Sequence, residues 1–263
     1  MDLELKGKVA VITGGSDGIG KAAAMRMVQE GAKVTICARR KELLEEAARE
    51  IREKTGGEVL AISADVTKPS DIQDVVDQTV GKFGGLDIVV NNAGQSAAGS
   101  FEEVSDEAWD ADMDLKFYAA IRLSRAAIPY MKRAGGGRII NVTNLGGKAP
   151  GAGSMPTSVS RAAGIALTKA MSKDLAGANI LVNTVCIGLI KSGQHERRHE
   201  NMVDSGQSLT IEEHYKEMGG RVPLGRVGEA GEAGDVIAFL ASGPASFLTG
   251  CAINIDGGAS TVV

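Results

Sequence analysis

A chain of 263 residues with 43% hydrophobic and 24% charged residues can bury a large core, and α/β chains of this length are routinely one domain, here expected over 1–263. Its net charge of −4 and pI near 5.5 argue against nucleic acid or a membrane surface held by bulk electrostatics, and for a small partner. The absence of a signal-type stretch or an eighteen-residue apolar window, with three widely spaced cysteines (Cys37, Cys186, Cys251) in apolar runs, points to a cytoplasmic protein with buried, reduced thiols and no membrane span.

The first apolar run, Val9 to Ile12, leads into Thr13-Gly14-Gly15-Ser16-Asp17-Gly18-Ile19-Gly20 and then an amphipathic segment to about Glu30. That is a strand, a glycine turn and a helix. Gly31 stops the helix, and Lys33 to Cys37 reads as a second strand, completing a β-α-β unit. The alternation continues with a charged helix from Lys41 to Lys54, a strand Val59 to Ser63, a helix Ser70 to Phe83 and a strand Ile88 to Asn91. Helix signals then run from Ser105 to about Met131. Next come a strand Arg138 to Val142, a helix near Ser158 to Leu175, a strand Ile180 to Cys186, a helix Ala230 to Leu240 and a last strand Cys251 to Ile255. Strands separated by helices predict a doubly wound, seven-stranded parallel sheet with helices on both faces, a Rossmann fold. The polar stretch Lys191 to Arg221, which holds all three histidines, reads as a substrate lid inserted at 191–221.

Ligands of such a sheet lie at the carboxyl ends of its strands, so the residues there are the candidates. Glycines at 14, 18 and 20 remove Cβ atoms where the backbone must bend and approach a phosphate, and the free N–H groups of the following helix face the anion. Ser16, Asp17 and Ile19 belong to the same turn. Ala38-Arg39-Arg40-Lys41 follows the second strand, where a protein for the unphosphorylated dinucleotide places an acid. Three cations at a helix amino terminus oppose its dipole, and a ribose 2′-phosphate would turn them favourable. NADP is therefore expected rather than NAD, the other reading being a solvated basic turn. Asp65 and Val66, after the third strand, and Asn91-Asn92-Ala93-Gly94, after the fourth, would border the adenine and the inner ribose.

These stretches, with Gly137 to Val142, the Asn183 strand and the ending Leu248-Thr249-Gly250 through Asp256-Gly257-Gly258, resemble the short-chain dehydrogenases and reductases, in particular the 3-oxoacyl-[acyl-carrier-protein] reductase-like members. The resemblance spans nearly the whole chain. It implies NAD(P)-dependent hydride transfer, a carbonyl or activated double bond in a small or acyl-type substrate, and usually a homotetramer built through two long helices and the last strand. It also places Gly188, Ile190 and Ser192 on the nicotinamide side, Ser192 standing where the family's threonine holds the amide. One departure lies there: the family's Pro-Gly is Ile187-Gly188.

The family's catalytic tetrad of asparagine, serine, tyrosine and lysine is changed at every position. Counting along the matched stretches, Lys116 replaces the asparagine, Asn144 the serine, Thr157 the tyrosine and Arg161 the lysine. Thr157 has too high a pKa to replace a phenol, Asn144 does not titrate, and Arg161 stays protonated. Lys116 is left as the candidate acid, with a pKa that burial and a neighbouring Arg161 would lower. Asn144 would then orient the substrate oxygen and Arg161 the nicotinamide ribose. The competing expectation is that Lys116 reaches solvent and the protein is a silent, nucleotide-binding subunit or scaffold of a mixed oligomer. Tyr118 and Tyr130 read as packing residues on the long helix, and Tyr215, in the lid, stays open as a relocated phenol. His195-Glu196-Arg197-Arg198-His199 matches the H-E-x-x-H zinc motif, but lies in the variable lid with no dedicated third ligand, so no metal is expected. Arg197 and Arg198 are available there to an anionic group such as a phosphopantetheine.

Overall fold

The computed structural model describes residues 1–204 and 208–263. Its main sheet has seven parallel strands in the order β3-β2-β1-β4-β6-β8-β9, which are Val59–Ser63, Lys33–Ala38, Val9–Thr13, Ile88–Asn91, Gly137–Asn144, Ile180–Ile187 and Ala252–Ile255. The expected single-domain, doubly wound sheet is what forms. Alternate side chains of β1 point to opposite faces. Ala10 and Ile12 join one apolar cluster with α1 (Gly18–Gln29), α2 (Lys41–Thr55) and α9 (Ala230–Ala241), while Val9 and Val11 join a second with α3 (Pro69–Phe83) and α5 (Ala119–Arg133). Chain order reverses across the β1–β4 pair, leaving a crevice at their carboxyl ends.

Local signals account for most boundaries. Gly56 and Gly84 adopt left-handed conformations that end α2 and α3, as glycine does most cheaply. Pro69 opens α3, where its missing N–H costs nothing. The long segment expected from Ser105 to Met131 is instead α4 (Asp106–Met113), a π turn (Asp114–Tyr118) and α5. The π turn is closed by the Ala119 N–H donating to the Asp114 carbonyl. A single wide turn of this kind, common at functional sites, leaves the hydrophobic pattern continuous and so is invisible in it. A two-stranded ribbon, β5 (Ala98–Gly99) with β7 (Met155–Pro156), was also unexpected; strands of two residues carry no periodicity. Residues 191–221 contain α7 (Gly193–Asp204) and α8 (Ile211–Gly219), and positions 205–207 of that segment lie outside the described residues. Cys37 and Cys186 are buried free thiols, and Cys251 is half-buried; burial pushes Cys37 up to about 12. No helix among the described residues is long and apolar enough to cross a membrane.

Candidate active site

The crevice opens into two adjoining cavities of about 370 and 420 Å³, within the range of small-molecule and cofactor sites. The glycine turn is shared by both. Gly14 lies at φ +66° and Gly18 at +53°, a region L side chains rarely adopt, and a Cβ on Gly20 would collide with the Gly14 carbonyl. Asn92, from the end of β4, donates through Nδ2 to the Thr13 carbonyl at 2.9 Å and the Gly14 carbonyl at 3.1 Å. The Thr13 hydroxyl accepts from the Asn92 and Ala93 amides. The turn is therefore held from the neighbouring strand. Asp17 caps α1, its carboxylate accepting from the Gly18 N–H at 2.6 Å.

The second cavity is walled by Arg39, Arg40, Asp65 and Val66 at the ends of β2 and β3, with Gly14, Ser16, Ala93 and Gly94. Arg40 occupies the N-cap position of α2 and makes no side-chain cap bond. The first cavity runs from the turn, past Ile19, Gly94, Gly188, Ile190 and Ser192, to Asn144, Thr157 and Arg161. The residues singled out in the sequence as cofactor-facing line one of these cavities, with three exceptions: Gly20 forms the cradle floor, Lys41 lines neither cavity, and Asn91 turns its amide to Ser124 and Asn141 instead.

The four positions matched to the family's tetrad converge at the far end of the first cavity, in two layers. Asn144, Thr157 and Arg161 form its wall. Lys116 lies behind them, with only 1% of its side chain exposed. It forms a short ion pair with Asp112, one helical turn earlier and equally buried, and donates to the Thr157 hydroxyl at 2.9 Å. Thr157 also accepts from the Ala97 N–H at 3.0 Å. With both acceptor sites used, the hydroxyl proton is free to donate, and its nearest protein acceptor is Asp112 at 3.5 Å. Ser160 donates to the other Asp112 oxygen at 2.6 Å. Burial pushes the Lys116 ammonium below the ordinary lysine range, the Asp112 hydrogen bond opposes that shift, and the Arg161 charge adds to it. Arg161 donates to the Val142 carbonyl at 2.6 Å, and burial lowers it to about 10. Asn144 Oδ1 is buried without a partner, the state of an amide waiting for one.

Asp112 and Ser160 were missed in the sequence. The available signals were an acid four residues before Lys116 and a serine three after Thr157, positions that share a helix face. Tyr118 is 48% exposed and Tyr130 lies under Arg133 at 4.4 Å, whereas Tyr215, under Lys191 at 5.4 Å, lines neither cavity but lies close behind Ser192 with its hydroxyl buried and unpartnered. His199 hydrogen-bonds through Nε2 to the Leu209 carbonyl, and among the described residues no three His, Cys, Asp or Glu side chains are grouped to hold a metal.

A family model for the short chain dehydrogenases matches residues 8–202. The chain belongs to the short chain dehydrogenase family. It is 36% identical over 256 residues to a 3-oxoacyl-[acyl-carrier-protein] reductase from Thermotoga maritima, covering 97% of this chain and 99% of that one. Among solved structures it resembles L-sorbose reductase from Gluconobacter frateurii, in complex with NADPH and L-sorbose, with a TM-score of 0.95 and 33% identity over the full length of both. A short-chain oxidoreductase from Pseudomonas aeruginosa PAO1, solved with NADPH bound and containing an atypical catalytic centre, matches at TM-score 0.90 and 33% identity over 99% of each chain. The protein is thus an oxidoreductase of the short-chain type, similar to 3-oxoacyl reductases, as its motifs led us to expect.

Proposed function

We propose that this protein is an NADP(H)-dependent reductase of a carbonyl or activated double bond in a small or acyl-type substrate, with Thr157 as the last carrier of the proton and Lys116 as its source. The observation that carries this reading is the Lys116–Thr157 hydrogen bond at the cavity wall. The cavities fit a phosphorylated dinucleotide: the glycine cradle would hold the diphosphate, Arg39 and Arg40 the 2′-phosphate, Asp65 and Val66 the adenine. Asn92, Ala93, Gly94 and Arg161 would hold the riboses, and Gly188, Ile190 and Ser192 the nicotinamide amide. Three of the similar proteins named above support the choice, two of them by carrying NADPH. When bound, the nicotinamide supplies a hydride to the substrate carbon.

The chain's own residues then handle the proton. Asn144 fixes the substrate oxygen beside Thr157 by donating through Nδ2, since its unpartnered Oδ1 is an acceptor and cannot meet a carbonyl oxygen. The threonine hydroxyl is too weak an acid to release its proton alone. It acts as a conduit: its proton moves to the substrate oxygen as a Lys116 proton moves onto the threonine oxygen. Asp112 holds the ammonium in line for that transfer, and Arg161, which stays charged, lowers the cost of giving the proton up. Residues 191–221 serve as the substrate lid, and the protein works in the cytoplasm as a homotetramer.

The burial of Lys116 and its pairing with Asp112 favour a second reading, a silent nucleotide-binding subunit whose lysine is structural. NADPH oxidation followed against a panel of ketones, 3-oxoacyl thioesters and enoyl thioesters decides between them. Turnover that collapses in Lys116→Met with NADPH binding retained supports the reductase. No turnover of any substrate by the unmodified protein, with NADPH still bound, supports the silent subunit.

A further inference from the structure

The cavity wall facing the glycine turn is α7. Gln194, Arg197 and Arg198 lie at i, i+3 and i+4, one face of the helix, and all three line the first cavity. Gln194 fastens that face to the loop after β4, donating to the Gly94 carbonyl at 3.1 Å and accepting from the Ser96 N–H at 3.2 Å. The start of α7 rests on the turn itself: Ser192 Cβ lies 3.3 Å from where a Gly18 Cβ would stand. A side chain at Gly193 would meet both the Asp17 carboxylate and, at 3.2 Å, the Arg197 guanidinium. Asp17 and Arg197 thus come together over Gly193.

That meeting matters because the turn already carries an anion. Asp17 occupies the first N–H of α1 with a full carboxylate, so a diphosphate arriving beside it meets like charge as well as the helix dipole. The nearby cation on α1, Lys21, is committed to Glu50. Arg197 and Arg198 are exposed and form no ion pair within 4 Å among the described residues. The first cavity is lined by Arg40, Arg161, Arg197 and Arg198 against Asp17 as its one carboxylate.

We propose that Arg197 and Arg198 complete the diphosphate site of the dinucleotide, gripping it from α7 while the amino terminus of α1 holds it from below. This rests on the NADP(H) reading above and adds a second wall to the glycine turn. Guanidinium groups suit the task because they present paired donors to phosphate oxygens. Cofactor binding and the seating of α7 become one event.

The test is a calorimetric titration of the intact protein with NADPH and, separately, with adenosine 2′-monophosphate, which keeps the 2′-phosphate and lacks the diphosphate. Arg197→Ala and Arg198→Ala are each expected to weaken NADPH binding about tenfold, the effect of one lost charge-assisted hydrogen bond, and to leave adenosine 2′-monophosphate binding unchanged. Asp17→Asn added to Arg197→Ala is expected to recover part of the loss by removing the like charge. Unchanged NADPH affinity in both variants overturns the proposal and assigns the arginines to a substrate anion. Equal weakening of both ligands overturns it too, leaving only a general field. Failure of the unmodified protein to bind either ligand strikes the NADP(H) reading itself, a result distinct from any produced by the variants.

Discussion

The two ends of the first cavity are built on different principles. At the glycine turn the work is done by backbone: Gly14, Gly18 and Gly20 matter for the atoms they lack, and Asn92 braces the turn through main-chain carbonyls. At the far end the groups are side chains, at the positions the sequence analysis matched to the family's tetrad. The scaffold delivers Asn144, Thr157 and Arg161 to one wall and Lys116 to the layer behind. A backbone site tolerates little change because sterics fix it. A side-chain site can be rewired when the replacements satisfy one another, as Lys116, Asp112, Thr157 and Ser160 do.

If the far end is a rewired proton path, breaking its middle link has the largest effect. Thr157→Val keeps the shape and removes the hydroxyl, so turnover is expected to fall by about 10² to 10⁴, the usual worth of a positioned proton donor. NADPH affinity stays unchanged, which separates the two ends. The active form has Lys116 protonated, and its pKa is lowered by burial first and by Arg161; the rate therefore falls as pH rises through that lowered value. A Thr157→Val protein that turns over at the unmodified rate removes the threonine from the path.

The same network predicts a stability pattern. Lys116→Met leaves the Asp112 carboxylate buried and unpaired, and breaking a buried ion pair in this way costs about 3–5 kcal/mol. The double variant Asp112→Leu with Lys116→Met removes both charges and is expected to regain most of that loss in urea unfolding. The lysine's folded pKa lies below its unfolded value of about 10.4, so the unfolded chain binds more protons between the two. Stability of the unmodified protein accordingly rises as pH climbs through that window. Equal losses in single and double variants would deny the pair its mutual role.

Much of this molecule was legible in advance because alternation of apolar runs with amphipathic segments dictates a parallel sheet, and the glycine spacing dictates the turn. The four positions matched to the tetrad came from counting along the stretches that resemble the family, and the structure gathers them at one end of the first cavity. What counting could not supply was depth. The sequence reading put Lys116 at the substrate; the fold puts Thr157 between them, because the π turn at Asp114–Tyr118 and the partner acid on α4 set where the ammonium lies. An Asp four residues before a Lys on a helix reads equally well as a solvated surface pair, so Asp112 gave no sign that it would be 4% exposed. Arg197 and Arg198 read from sequence as cations for an anionic substrate group, and the proximity of Arg197 to Asp17 is a tertiary fact.

At the backbone end the side chains that do matter are the cations of the second cavity. Arg39→Asp is expected to cost about 1.5–3 kcal/mol of NADPH binding, the range for a hydrogen bond to a charged group, and to abolish preference over NADH while leaving NADH binding nearly intact. Fluorescence titration with both cofactors reads this directly. Equal affinity of the unmodified protein for the two would remove the 2′-phosphate role from Arg39 and Arg40.

The smallest effect tests whether the two ends are separable from general stability. Ser105 caps α4, the helix that carries Asp112, by accepting from the Ala108 N–H at 3.3 Å. Ser105→Ala removes that cap at a cost of about 1 kcal/mol, a fall in Tm of roughly 2–4 °C for a domain of this class. The cap lies at the solvent end of α4, and Asp112 is held independently by Lys116 and Ser160, so the loss is expected to fray the first turn without moving the carboxylate. Calorimetric melting should therefore shift while the pH profile of turnover and the NADPH affinity do not. A displaced pH profile in Ser105→Ala would mean that the position of Lys116 depends on the whole of α4 rather than on its immediate partners, and the side-chain network would lose its claim to be self-supporting.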